Sequence, residues 1–207
     1  MDDMKERKIN VSVLVSGGGT NLGAIIEHQK SGFMPHVNPV AVISSKSDAF
    51  ALTRAKNAGI PAYTVVRKGV SREDFEAGIE KILEVTKTEL IVLAGFMCIL
   101  SADFTSRWEN RIINVHPSLI PSFCGEGYYG LRVHEAALEY GVKVTGATVH
   151  FVNEIPDGGK IIAQRAVYVK DGDTPETLQQ RVMEEAEWII LPEAVEKVAA
   201  ELARDDA

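Results

Sequence analysis

Cysteine is nearly absent: the 207 residues contain two, Cys98 and Cys124. They have neither metal-ligand spacing nor the pattern of a disulfide framework. No metal is expected, and a reducing, cytoplasmic setting is the simpler reading. Positive charge is scarce as well. Lys and Arg total 22 against 29 Asp and Glu, a formal net charge of -7. Nucleic-acid backbones call for clustered Lys and Arg, so no nucleic acid is expected as the main partner. Long apolar runs are missing. None approaches the roughly 18 residues of a membrane helix. The charged start, "MDDMKERKIN", lacks the apolar core of a signal peptide, so no membrane partner is expected. Also lacking are the dinucleotide fingerprint G-x-G-x-x-G and the Gly-Lys-Ser/Thr of a Walker loop.

What is present is an ordinary globular composition, 45% hydrophobic and 25% charged. The length suits one sizeable core and is short for two full domains. A single domain over 1–207 is expected, with a frayed acidic tail at 203–207. Apolar runs alternate with helical patterns. "INVSVLVS" (9–16), "PVAVISS" (39–45), "PAYTVV", "ELIVLAG" (89–95) and "RIINVH" read as strands. "NLGAIIEHQKSG", "DAFALTRAKNAG" and "SREDFEAGIEKILEVTK" read as helices, the last with Ser71 as N-cap. This β-α-β-α rhythm predicts an α/β fold: a Rossmann-like, mostly parallel twisted sheet with helices on both faces. Near the C-terminal end the pattern changes. "KVTGATVHFV" (143–152) and "KIIAQRAVYV" (160–169) flank "NEIPDGG" and predict an antiparallel strand pair. A closing helix follows, capped by Thr174 with Pro175 in its first position. Pro192 is expected to kink or restart it.

Three constellations carry chemistry. In "VLVSGGGTNLGAII" a strand ends, three glycines follow and a helix begins. Glycines let a ligand approach the backbone, and a helix N-terminus offers N–H groups and the positive dipole end, which suits a phosphate. The plain alternative is a tight turn that binds nothing. In "IINVHP", Asn114 and His116 sit at i and i+2 and so share one face at the strand's carboxyl end, where ligands sit in open α/β sheets. Both could donate to one ligand oxygen. Equally, the His could be satisfied by a backbone carbonyl while the Asn caps the turn. In "NEIPDGG", Asp157 is either a turn former or the carboxylate that an acid–base His needs.

"SGGGTNL", "NVHPSLIPSF", "TGATVHFV" and "DGGKII", in this order and at this separation, closely resemble the phosphoribosylglycinamide formyltransferases, a branch of the folate-dependent formyltransferase family. The resemblance covers nearly the whole chain. It implies transfer of the formyl group of 10-formyltetrahydrofolate to the amine of glycinamide ribonucleotide in purine biosynthesis. It also implies small-molecule partners, a monomer or homodimer, and Asn114, His116 and Asp157 as the catalytic trio. Gly18, Gly19, Thr20 and Asn21 match the phosphate-holding segment, Pro117 lies near the glycinamide arm, and Glu187 matches an acid near the ribose. Met97, Cys98, Ile99, Leu100, Asn153, Glu154 and Ile155 match the folate pocket, and Arg72 matches a basic residue near the folate's glutamate tail. Two departures stand out. Cys98 replaces an Arg of several relatives, and the loop 124–130, "CGEGYYG", is longer than in shorter members. A histidine that some members carry past this loop aligns with Arg132, which is assigned no role. Rival readings are a methionyl-tRNA formyltransferase-like enzyme, a formylfolate hydrolase, and a non-catalytic nucleotide-binding module.

Overall fold

The computed structural model describes residues 7–205. Most of the charged N-terminal segment weighed as a signal peptide therefore lies outside the described residues. The chain divides into two compact units, one running through Phe96 and resuming at Pro192, the other Met97–Leu191.

In the first unit, strands β1 (Ile9–Val15), β2 (Val37–Ser44), β3 (Ala62–Thr64) and β4 (Leu90–Leu93) alternate with helices α1 (Thr20–Lys30), α2 (Phe50–Asn57) and α3 (Arg72–Val85). The strands lie in the order β3-β2-β1-β4 and every pair is parallel. Val13 pairs with Val42 on one side and Val92 on the other. Near-continuous apolar strands follow from burial on both faces. Ile9, Leu14, Ile43, Leu90 and Ile91 are fully or almost fully buried, each contributing about 1.5–3 kcal/mol. Of the two polar residues in β1, Asn10 and Ser12, the buried one, Ser12, is satisfied by Thr88 Oγ1 at 2.6 Å. Ser71 caps α3 as expected, accepting from the Asp74 N–H at 3.0 Å.

In the second unit, β5 (Ile112–His116), β6 (Val144–Phe151) and β7 (Ile161–Tyr168) lie in that order, with both pairs antiparallel. Helices α4 (Ala102–Arg107), α5 (Leu131–Tyr140) and α6 (Pro175–Val182) accompany them. Pattern reading assigns no helix to α4 or α5. α4 is only six residues long and α5 starts at Leu131, directly after a glycine-rich loop. Thr174 caps α6 in a reciprocal capping box with Thr177. Asp173 and Arg181 lock the turn before it through two contacts of 2.6 Å.

Two expectations for the last helix need correction. The break lies before Pro192, in a π-helical turn over Met183–Glu187, and Pro192 sits inside α7 (Trp188–Asp205). Proline has no N–H for the carbonyl four residues earlier and its ring crowds that carbonyl; the irregular geometry falls in the turn just upstream. The tail does not fray at 203. α7 continues through Asp205, because Ala203 is buried on its inner face; residues 206–207 lie outside the described residues. Among the described residues no helix is long and apolar enough to cross a membrane.

Candidate active site and phosphate loop

Register assembles the first site. In the β5–β6 ladder Asn114 lies opposite His150, and His116 opposite Thr148. The period of two that puts Asn114 and His116 on one face also puts Thr148 and His150 on one face of β6. A register shift between Val149 and His150, in the ladder to β7, marks a bulge beside the site; bulges re-aim side chains and often sit next to active sites. Thr148 fixes the loop after β5. Its hydroxyl donates to the Ser118 carbonyl at 2.7 Å and accepts from the Ile120 N–H at 3.1 Å. Asp157 arrives on the β6–β7 connection, held at φ +56°, a left-handed conformation uncommon for a residue with a Cβ. Gly159 permits this path: a Cβ there would collide with the Phe151 carbonyl.

Asp157 lies between two histidines, Oδ2 at 3.5 Å from His116 Nδ1 and Oδ1 at 3.6 Å from His150 Nε2. Its Oδ2 also accepts the Gly125 N–H at 2.8 Å. The tautomers follow from the carbonyls, which only accept. His116 Nε2 is 2.9 Å from the Phe123 carbonyl and must carry the proton. In neutral His116 the bare nitrogen is therefore Nδ1, facing Asp157. His150 Nδ1 is 2.8 Å from the Phe151 carbonyl and carries its proton, so Nε2 of neutral His150 accepts from Asn114 Nδ2 at 3.1 Å. At 3.6 Å the His150–Asp157 approach is electrostatic rather than a made hydrogen bond.

Asp157 favours the charged form of His116, but burial outweighs it, and the net shift of His116 is downward. The Phe123 carbonyl also favours the charged form, while His150 opposes it. His116 is therefore neutral near pH 7. Burial alone would raise Asp157. His150, His116 and the Gly125 N–H together hold it below the ordinary carboxylate value. Burial, and then the charge of Asp157, push the Cys124 thiol up, keeping it protonated.

Three participants escape pattern reading. His150 could be found by the same i, i+2 rule that singles out Asn114 and His116. The Phe123 carbonyl leaves no side-chain signal. His134, on the buried face of α5, is fully buried, neither ring nitrogen has a hydrogen-bond partner among the described residues, and burial followed by His116 pushes its pKa down to about 4. Arg132, two positions before it, lies over the Tyr129 ring at 5.1 Å.

Other predicted residues of this unit take these places. Pro117 directly follows β5, and Glu187 is buried at the end of the π-helical turn. Met97, Ile99 and Ile155 are exposed apolar side chains at 52%, 61% and 57%, while Leu100 is buried. Cys98 is half-buried and Glu154 exposed. Asn153 Oδ1 accepts the Ile155 N–H at 3.0 Å and shapes that loop.

The first unit holds the glycine loop, and its three glycines differ. Gly19 is the α1 N-cap at φ +70°, and a Cβ there would lie 2.6 Å from Ala51 Cβ; the fold itself demands glycine. Gly17 and Gly18 have no such φ, and a Cβ at either meets nothing within 4 Å. The protein has no packing need for glycine at those two positions, whereas a ligand lying on the backbone would. Thr20 opens α1, and Asn21 beside it is buried. Arg72 is the exposed first residue of α3 in this unit.

A match to the formyl transferase family spans residues 9–195. The chain is 42% identical over 183 residues to phosphoribosylglycinamide formyltransferase of Haemophilus influenzae, covering 88% of this chain and 83% of that one. It is 46% identical to the chicken trifunctional purine biosynthetic protein adenosine-3 over 95% of its own length. It spans only 19% of that larger relative. Solved structures agree in fold. Glycinamide ribonucleotide transformylase 1 from Symbiobacterium toebii superposes with a TM-score of 0.87 at 41% identity, over 94% of this chain and 89% of that one. Phosphoribosylglycinamide formyltransferase from Brucella melitensis gives 0.85 at 43% identity, over 94% and 97%. The chain belongs to the formyl transferase family, in its phosphoribosylglycinamide formyltransferase branch.

Proposed function

We propose that the protein transfers the formyl group of 10-formyltetrahydrofolate to the primary amine of glycinamide ribonucleotide. One observation carries the reading: Asp157 stands within 3.6 Å of both His116 and His150, with Asn114 bonded to His150. The folate co-substrate supplies the formyl carbon. As the amine bonds to that carbon, the formyl oxygen gains negative charge. Asn114 has a second amide hydrogen for that oxygen; losing one such donor typically costs about 2.7–4 kcal/mol of transition-state stabilisation. The amine must also shed a proton. His116 Nδ1 takes it, with a water on Asp157 as carrier, and the resulting imidazolium is held between Asp157 and the Phe123 carbonyl. The same proton returns to the departing folate nitrogen as its bond to the formyl carbon breaks, so none is consumed overall. Burial keeps His116 neutral and ready to accept, while the carboxylate favours its charged form once the proton arrives.

In this reading the glycine loop with Thr20 and Asn21 holds the ribonucleotide phosphate, and Glu187 faces the ribose. Pro117 borders the glycinamide arm. Met97–Leu100 and Asn153–Ile155 supply the pterin contacts, and Arg72 meets the glutamate tail. The setting is cytoplasmic and the protein a monomer or homodimer acting on small molecules. The test supplies purified protein with 10-formyltetrahydrofolate and, in turn, glycinamide ribonucleotide, methionyl-tRNA or water alone. Formylation of the ribonucleotide is expected. Formyl release without an amine, or transfer only to the tRNA, overturns the assignment.

A further inference from the structure

The glycine loop leans on α2. The Ala51 N–H donates to the Gly17 carbonyl at 3.1 Å, and Arg54 Nε donates to the Gly18 carbonyl at 2.9 Å. In a trans peptide the C=O and the following N–H point in opposite directions. With the Gly17 and Gly18 carbonyls turned toward α2, the N–H groups of Gly18 and Gly19 point away from it. Gly19 is left-handed, the conformation that in a backbone nest turns successive N–H groups toward one anion. One latch is a backbone bond of α2. The other depends on a single side chain. Arg54 is itself braced: its guanidinium lies 5.2 Å from the Phe50 ring centroid and packs beside Gly23 in α1.

We infer that Arg54 is a positioning residue for the substrate phosphate, its Nε–H holding the Gly18 carbonyl so that the Gly19 N–H faces the ligand. The inference rests on reading this loop as the phosphate site. Arg54 would act through backbone direction, and its charge is secondary.

Three substitutions at Arg54 separate direction from charge. Gln places an amide N–H donor the same number of bonds from the backbone as Arg Nε, without charge. Lys keeps the charge but moves its donor one bond further. Met has neither. Steady-state kinetics with glycinamide ribonucleotide, and with the riboside that lacks the phosphate, read the result. Arg54→Lys and Arg54→Met should each raise the ribonucleotide KM roughly tenfold, as expected for a lost hydrogen bond to a charged donor. The kcat, the folate KM and the riboside kinetics should be unmoved, and Arg54→Gln should restore most of the ribonucleotide affinity. A merely structural role would weaken riboside and ribonucleotide alike. Near-normal KM in Arg54→Lys with a high KM in Arg54→Gln overturns the inference in favour of charge. Gly18→Val serves as the control. If it raises the KM while no Arg54 variant does, the Arg54 inference fails alone. If Gly18→Val leaves the KM unchanged, the phosphate-loop reading fails and takes this inference with it.

Discussion

In the glycine loop the polar groups are backbone amides of consecutive residues, 17 to 21, aimed by two carbonyl latches from α2. In the histidine cluster they are side chains from three separate segments, brought together by β5–β6 register and by a loop that returns Asp157 to both histidines. The first arrangement has no ionisable group in its backbone cradle and should serve an anion at any moderate pH. The second is built of buried ionisable groups whose protonation depends on one another. Binding without titration and chemistry through titration are thus carried by different materials, each in its own unit.

Removing the ionisable groups gives the largest expected effect. His116→Ala and Asp157→Ala should each lower kcat by roughly a thousandfold, and the double variant should be little worse than either single one, since the residues act as a unit. Ribonucleotide binding by calorimetry should survive in all three. Additive losses in kcat would dissolve the cluster into independent parts. In the intact enzyme the acid limb of the kcat/KM profile should lie below pH 6.5, because the pKa of His116 is depressed.

The loop is broken next. Gly18→Val should raise the ribonucleotide KM by roughly a hundredfold, about 2.7 kcal/mol, with unfolding free energy little changed, since a Cβ there meets no protein atom within 4 Å. Gly19→Ala is the contrast: it should destabilise the fold through its φ of +70° and the contact with Ala51. Similar losses of stability in both variants would return all three glycines to plain turn chemistry.

A third expectation tests the titrating side alone. His134 falls from 6.5 to about 4 in the folded protein. Between those values the unfolded chain binds a proton that the native state refuses, so stability drops as pH falls and is fully present above 6.5. The slope approaches about 1.4 kcal/mol per pH unit. Urea unfolding of His134→Leu at pH 7 and pH 5 should show a smaller pH-dependent loss than wild type; equal losses would mean that His134 titrates normally. The smallest effect is expected at the exposed Arg72. Arg72→Ala should weaken polyglutamylated folate by only a few-fold, as for a solvated ion pair, and leave a tail-less pterin analogue unaffected. Equal loss for both ligands removes Arg72 from the folate contacts.

Legibility from sequence follows the same divide. The glycine loop is one uninterrupted string between a strand and a helix, so its geometry is local and readable. Even there, the difference between Gly19 and its two neighbours needs α2, which the string does not contain. Asn114 and His116 are readable because the strand period is local. His150 obeys the same period, but its partner across the ladder depends on register. His134 carries no sequence signal, and only its burial, with His116 nearby, lowers its pKa. The direction of the His116 shift could not be read at all, since it is a contest between burial and Asp157 that only packed coordinates decide.

The sequence by itself determined the alternation of strands and helices, the Ser71 and Thr174 caps, the glycine loop and the identity of Asn114, His116 and Asp157 as candidates. These depend on side-chain periodicity and on interactions within a few residues, which the linear order contains. Tertiary structure decided where the last helix departs from α geometry, which nitrogen of His116 is bare, that His150 joins the cluster and that α2 holds the loop from behind. The last three depend on groups apart in the chain meeting at hydrogen-bond distance, and the two histidines are buried. There, burial and neighbouring charge set protonation, and those distances do not exist until the chain has packed.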